Sequence, residues 1–172
     1  PKTFNTPDNL RYLHYTSNNT IFGTQYQGIP NTDARLVCDM SSDIFSRPID
    51  VSKYDIIYAG AQKNMGPAGT TLVIVKKDIL GKVSRQIPTM LNYQTHIDKG
   101  SMFNTPPVFP IFVSMLTMDW VIDNGGLEGM EKRNTEKATT LYNEIDRNEI
   151  FFGHANNEDR SKMNVTFNIT DK

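Results

Sequence analysis

Short apolar and β-branched runs punctuate the first part of the chain: Leu10 to Tyr15, Leu36 to Asp39, Ile56 to Ala59 and Thr71 to Val75, each bounded by Gly, Pro, Asp or Ser. Runs of this length and bounding read as strands, buried in the case of Leu10 to Tyr15. That first strand leads into Thr16-Ser-Asn-Asn-Thr20, a polar turn at its carboxyl end. The last two runs are joined by about ten residues, too few for a helical crossover, so they are expected to lie antiparallel or in different parts of the sheet. Ser41 to Lys53 has room for a turn of helix and a loop ending in Arg47-Pro-Ile-Asp-Val51. The sheet should therefore be mixed.

Beyond the strands the period changes. Pro106-Pro-Val-Phe-Pro110 can start a helix, since proline lacks only an N–H that the first turn leaves unpaired. Ile111, Phe112, Met115, Leu116, Met118, Val121 and Ile122 then recur at helical spacing until Asn124-Gly-Gly126 stops them. This helix is expected to be amphipathic and mostly buried. A second helix, Leu127 to about Asp146, carries Leu127, Met130, Leu141 and Ile145 on one stripe and Glu128 and Lys132 on the wet face. After a polar loop, Gly153 to Lys162, the run Met163-Asn-Val-Thr-Phe-Asn-Ile169 alternates like a half-buried strand. One strand cannot make a sheet, so its partners are expected outside this sequence.

At 172 residues the chain can fill one domain, and its net charge of −1, with acids and bases interspersed, offers no extended basic field for nucleic acid. The longest apolar stretch, Val108 to Ile122, is interrupted by Pro110, Ser114, Thr117 and Asp119, so no membrane span is expected. Cys38 is the single cysteine, as in a protein of the reducing cytosol. The amino terminus, Pro1-Lys-Thr-Phe-Asn-Thr, has neither an initiating Met nor a signal-peptide pattern, so the chain reads as cut. His14, His96 and His154 are too widely spaced for a local metal motif. Asn18, Asn164 and Asn168 begin sequons that read as chance matches.

Candidate chemistry centres on Lys63, in Asp55-Ile-Ile-Tyr-Ala-Gly-Ala-Gln-Lys-Asn-Met-Gly-Pro-Ala-Gly-Thr-Thr-Leu-Val-Ile-Val75. A lone lysine carried from an apolar strand into a turn of small residues is expected to be partly desolvated, which favours the neutral amine that attacks an aldehyde. Leu36-Val-Cys-Asp39 ends in a carboxylate where α/β sheets bind ligands, at a strand's carboxyl end. A lysine to hold an aldehyde and an Asp to keep a pyridine nitrogen protonated are what pyridoxal phosphate needs. The plainer readings are a loop lysine and a turn-capping carboxylate.

Tyr58-Ala-Gly-Ala-Gln-Lys-Asn-Met-Gly-Pro-Ala-Gly69, Cys38-Asp-Met-Ser-Ser42 with Ser46-Arg-Pro-Ile-Asp-Val51, and Gly100-Ser-Met-Phe-Asn-Thr-Pro-Pro107 resemble the phosphoserine aminotransferase family of fold-type I pyridoxal-phosphate enzymes. His14-Tyr-Thr-Ser-Asn-Asn-Thr20 and Arg160-Ser-Lys-Met-Asn-Val165 fit as well, so the resemblance runs through the whole chain. It implies an α/β fold: a mixed sheet of the large domain flanked by helices in residues 1–126, a connecting helix in 127–146, and the start of a small carboxyl-terminal domain in 147–172. It implies that Lys63 carries the Schiff base to pyridoxal 5'-phosphate and shuttles a proton, that Asp39 pairs with the pyridinium nitrogen, and that Thr20 hydrogen-bonds the phenolic oxygen. Gln62 would bind the phosphate, and Asn104 and Thr105 would reach it from the neighbouring subunit of a homodimer with shared active sites. Asn104 and Thr105 are also placed to cap the helix at Pro106.

The implied activity is amino transfer from L-glutamate to 3-phosphohydroxypyruvate in the cytoplasm, giving O-phospho-L-serine and 2-oxoglutarate. The resemblance also implies parts that this chain lacks: an amino-terminal Gly-rich phosphate turn with the aromatic that stacks on the ring, the rest of the small domain, and the substrate-gripping arginines. Asn19 stands where Glu is usual beside the threonine. Alternatives are an inert fragment of such an enzyme, or another fold-type I enzyme such as a cysteine desulfurase or alanine:glyoxylate-type aminotransferase. Gln62 weighs against the latter, since those relatives usually carry His before the lysine. A nucleotide-phosphate site at Asn64-Met-Gly-Pro-Ala-Gly69 fails for want of a Gly-Lys-Ser/Thr sequence.

Overall fold

The computed structural model describes residues 6–170; most of the amino-terminal stretch read for a targeting signal, Pro1-Lys-Thr-Phe-Asn5, lies outside them, as do Asp171 and Lys172. Strands β1 (Tyr12–Thr16), β2 (Asn18–Asn19), β3 (Thr24–Gln25), β4 (Arg35–Asp39), β5 (Ile56–Gly60) and β6 (Thr71–Val75) come first, with helix α1 (Ala61–Asn64) between β5 and β6. Helices α2 (Tyr93–Asp98), α3 (Val108–Asp123) and α4 (Gly126–Arg147) follow, and then strands β7 (Phe151–Gly153) and β8 (Phe167–Ile169). The main sheet runs β1-β4-β5-β6, with β1, β4 and β5 mutually parallel and β6 antiparallel to β5. The mixed sheet and its antiparallel step match the expectation from loop length.

Strand alternation divides the sheet into two faces. Leu36, Cys38, Ile57 and Ala59 face a core completed by Tyr15, Met40, Ile44, Tyr54, Ala61 and Met65. The opposite face carries His14, Val37, Ile56 and Tyr58 along an open groove of about 970 Å³. The strands are thus buried on one face, and β1 is mostly exposed rather than the buried strand expected. The turn expected at 16–20 instead contains β2, paired with β3 as Asn18↔Gln25 and Asn19↔Thr24.

Helix α3 begins at Val108, with Pro110 still in the first turn, where a missing N–H costs no helical hydrogen bond. Its predicted burial is not found. Only Ser114 and Val121 are buried, while Val108, Phe109, Ile111, Phe112, Met115, Leu116, Trp120 and Ile122 are exposed. Apolar residues ring the helix on all sides, and α4 with the loop after α1 covers only part of it. Gly125, at φ 92°, turns the chain into α4, whose buried stripe is Met130, Asn134, Ala138 and Ile145. Leu141 was expected on that stripe and falls on the same face by its spacing, three residues past Ala138, yet it is exposed, so the cover over the stripe is incomplete there. Glu128 and Lys132 are exposed as expected.

The carboxyl-terminal strand differs in two ways from its expectation. It spans only Phe167–Ile169, all exposed, and its partner lies within the sequence: Phe151↔Ile169 through Gly153↔Phe167 pair antiparallel. An edge contact of Phe151 and Phe167, 5.1 Å between ring centroids, holds the pair. The partner Phe151–Gly153 is too short to announce itself by alternation. Among the described residues no helix is long and apolar enough to cross a membrane, and no cluster of His, Cys, Asp or Glu could hold a metal.

Candidate active site

Parallel β1, β4 and β5 each deliver one polar residue at or just beyond the carboxyl end, the edge at which open α/β sheets bind ligands. After β1 the chain enters the β2–β3 hairpin, and Thr20 sits at its tip. Asn19 shapes that tip: its Oδ1 accepts from the N–H groups of Ile21, 3.1 Å, and Phe22, 3.0 Å. This Asx turn gives Asn19 a local role of its own. Strand β4 ends in Asp39, half-buried, with Oδ1 accepting from Ser41 N at 2.8 Å. The turn-capping reading of this carboxylate is therefore true.

Strand β5 runs into α1 at Ala61, tied back by Ala61 N to the Thr70 carbonyl at 2.9 Å. Lys63 Nζ donates to Thr20 Oγ1 at 3.0 Å. The apolar-to-small transition expected from the sequence is present, but Lys63 is exposed, so the desolvation argument for its reactivity does not hold in this structure. Its orientation comes from Thr20 instead. Gln62 folds over Gly60, where a Cβ would lie 2.8 Å from its Oε1. Small residues continue after the lysine because α3 presses on the loop: a Cβ at Gly66 would collide with the Ser114 hydroxyl and lie 3.2 Å from its Cα, and one at Gly69 would lie 3.1 Å from Pro110.

Lys63, Thr20, Asp39 and Gln62 thus gather at one sheet edge. Asn104 and Thr105 do not join them; both are exposed on the loop before α3, where Asn104 Nδ2 donates to the Thr105 carbonyl at 3.3 Å. Nor do they cap the helix, because the N-cap is Pro107 and it has no side-chain cap hydrogen bond. The capping expectation misjudged the start by two residues.

Sequence reasoning missed the supports behind these groups. Tyr58 is the register partner of Asp39 on the open face, and its hydroxyl meets His14 Nε2 at 3.0 Å. Burial first, then the Asp39 charge and hydrogen bond, push the Tyr58 hydroxyl up. Asp43 accepts from Ser17 Oγ and, at 3.1 Å, from Gln25 Nε2. Burial raises the Asp43 carboxyl above its ordinary value against the opposing pull of those donors. Cys38 is pushed up to about 12 by burial, which keeps it a packed thiol. The available sequence signal was the density of Ser, Asn and Asp after β1 and β4.

The donor set fits pyridoxal phosphate: a primary amine for an aldehyde, a carboxylate for a protonated ring nitrogen, a hydroxyl and a carboxamide for anionic oxygens. Residues 3–172 match the profile of the family described as aminotransferase class-V. The chain is 60% identical over 172 residues to the phosphoserine aminotransferases of Flavobacterium psychrophilum and Parabacteroides distasonis, covering 100% of itself and 48% of each relative. It therefore spans about half the length of the curated relatives it matches. Among solved structures, the phosphoserine aminotransferase of Bacillus circulans subsp. alkalophilus superposes with a TM-score of 0.92 at 42% identity, over 96% of this chain and 46% of that one. The pyridoxal-phosphate-bound phosphoserine aminotransferase of Trichomonas vaginalis gives 0.92 at 38% identity, over 96% and 49%.

Proposed function

The chain belongs to the class-V aminotransferase family, and from that premise we propose that it forms part of a cytoplasmic, pyridoxal-phosphate-dependent phosphoserine aminotransferase. The reaction is amino transfer from L-glutamate to 3-phosphohydroxypyruvate, giving O-phospho-L-serine and 2-oxoglutarate. The observation that carries this reading is the convergence of Thr20, Asp39 and Lys63 from three parallel strands, with Lys63 Nζ held 3.0 Å from Thr20 Oγ1. Identity of 60% to phosphoserine aminotransferases supports the substrate assignment.

When bound, pyridoxal phosphate supplies an aldehyde that accepts an amino group and a ring that takes up an electron pair. Lys63 Nζ would hold the aldehyde and, when free of it, would carry a proton to and from the substrate carbon, with Thr20 fixing the amine's direction. The Asp39 carboxylate holds the ring nitrogen's proton, and its own orientation is fixed by the Ser41 N–H. The Thr20 hydroxyl serves the phenolic oxygen as well as Lys63. Gln62 binds phosphate oxygen from its position over Gly60. Asn104 and Thr105, exposed here, serve the phosphate of a second protomer, which makes the enzyme a homodimer with shared sites. Residues 1–126 then form part of the large domain, 127–146 the connecting helix, and 147–172 the start of the small domain.

The test is an amino-transfer assay on the intact protein with glutamate as donor. Rapid formation of O-phospho-L-serine from 3-phosphohydroxypyruvate, with little transfer to glyoxylate or pyruvate, is the expected result. Preference for glyoxylate or pyruvate would overturn the substrate assignment, and no transfer to any acceptor would overturn the activity.

A further inference from the structure

We propose that Asn18 is a positioning residue that couples segment 161–164 to the Lys63 amine; this rests on reading Lys63 as the reactive amine. Asn18 is 1% exposed, yet its carboxamide is a junction. Nδ2 donates to Ser42 Oγ at 2.8 Å and to Asn164 Oδ1 at 2.7 Å, while Oδ1 accepts from Ser161 Oγ. Ser42 Oγ also donates to the Asn18 carbonyl at 2.8 Å. One residue thus ties the turn following Asp39 to the segment preceding β8.

Ser161, 0% exposed, organises that segment, its Oγ accepting from Met163 N at 3.0 Å and Asn164 N at 2.9 Å. The same segment grips the hairpin elsewhere: Ser161 N donates to the Gly23 carbonyl at 2.8 Å, and Lys162 N to Gln25 Oε1 at 3.1 Å. Gly23, at φ 63°, allows the approach, since a Cβ there would lie 2.8 Å from the Asn164 carbonyl. Thr20 rides on this clamped hairpin and orients Lys63. A fully paired buried network is rigid and costly to break, so displacement of 161–164 shifts the hairpin as a unit and the Thr20 hydroxyl with it.

Competitive trace acetylation of the intact, cofactor-free protein reads this out, with exposed Lys53 and Lys76 as internal references. Thr20→Val sets the scale: loss of the acceptor frees the Lys63 amine from its hydrogen bond and raises its relative labelling about threefold. Asn18→Ala and Ser161→Ala are expected to reproduce at least half of that rise, and Ser161→Thr, which keeps the hydroxyl, to restore the parent value. Should Asn18→Ala not fold, Ser161→Ala decides. Parent-like labelling in the folded Asn18 or Ser161 variants, beside a response in Thr20→Val, overturns the coupling, and no response in Thr20→Val overturns the link on which it depends. A merely structural role would lower the melting temperature and leave the Lys63 ratio unmoved. Failure of the proposed activity reads differently, as absent amino transfer with these labelling ratios intact.

Discussion

Removing the Asp43 carboxylate should destabilise the protein, and the deficit should widen as the pH falls. Asp43 is 6% exposed and accepts from Ser17 Oγ and Gln25 Nε2, both on residues that are themselves buried. In Asp43→Ala the Gln25 amide loses its partner, which costs about 1–3 kcal/mol for a stranded buried donor. Ser17 loses less, because its hydroxyl can fall back on the Asp39 carbonyl at 3.1 Å. Relief of a buried charge offsets part of this, leaving a net loss of about 1–2 kcal/mol at pH 7. The pH sign follows from burial, which raises the folded-state carboxyl above its ordinary value. The folded protein then binds the proton more readily than the unfolded chain, so Asp43 contributes stability that is fully present below the unfolded value and lost as pH rises through the folded one. Urea unfolding of parent, Asp43→Ala and Asp43→Asn between pH 7 and pH 4.5 measures it. Asp43→Asn keeps one acceptor and sheds the charge, so at pH 7 it should lie within about 1 kcal/mol of the parent. A deficit of Asp43→Ala that narrows on acidification would refute the reasoning, since it would mean that the fold holds Asp43 as a stabilised anion.

Asp39→Asn should fold normally, because its Oδ1 still accepts from Ser41 N, yet lose amino-transfer activity by several orders of magnitude; activity within a few-fold of the parent would leave Asp39 as a turn cap alone. If Asn104 and Thr105 serve the partner's site, mixing Lys63→Ala chains with Asn104→Ala/Thr105→Val chains should create heterodimers with one intact site and recover activity that neither homodimer has; no recovery in verified heterodimers would place each site within one chain. Asp146→Asn, which breaks a bidentate pair with Arg160 at 2.6 Å, should cost under about 1 kcal/mol in urea unfolding because Asp146 is 48% exposed. The hydrogen bonds from Arg160 hold the Asp146 carboxyl below its ordinary value, so its small contribution is present above the unfolded value and lost as pH falls through the folded one, opposite in sign to Asp43.

The four main-sheet strands were legible because each is a compact apolar run between breakers, and a loop as short as 61–70 can reverse the chain but not carry it across a sheet. The positions of Asp39 and Lys63, at and just beyond the carboxyl ends of neighbouring parallel strands, were legible for the same reason, since each follows an apolar run. What failed depends on partners that a pattern does not reveal. Apolar spacing in α3 announces a helix but not what covers it, so predicted burial became an exposed ring from Val108 to Ile122. The second strand beside Phe167–Ile169 was missed because Phe151–Gly153 has three residues and no alternation to detect. The Asn18 junction was invisible for a different reason: its partners Ser42, Ser161 and Asn164 are distant in sequence, and an Asn in a polar run reads as a turn.

The central claim is that Lys63 is the amine that holds the aldehyde of pyridoxal phosphate. Borohydride reduction of the intact protein in the presence of pyridoxal phosphate, followed by peptide mapping, tests it most directly. A single pyridoxyl group on the peptide carrying Lys63, absent from Lys63→Ala, is the predicted result. Modification spread over Lys53, Lys76 and Lys77, or persisting in Lys63→Ala, would contradict it.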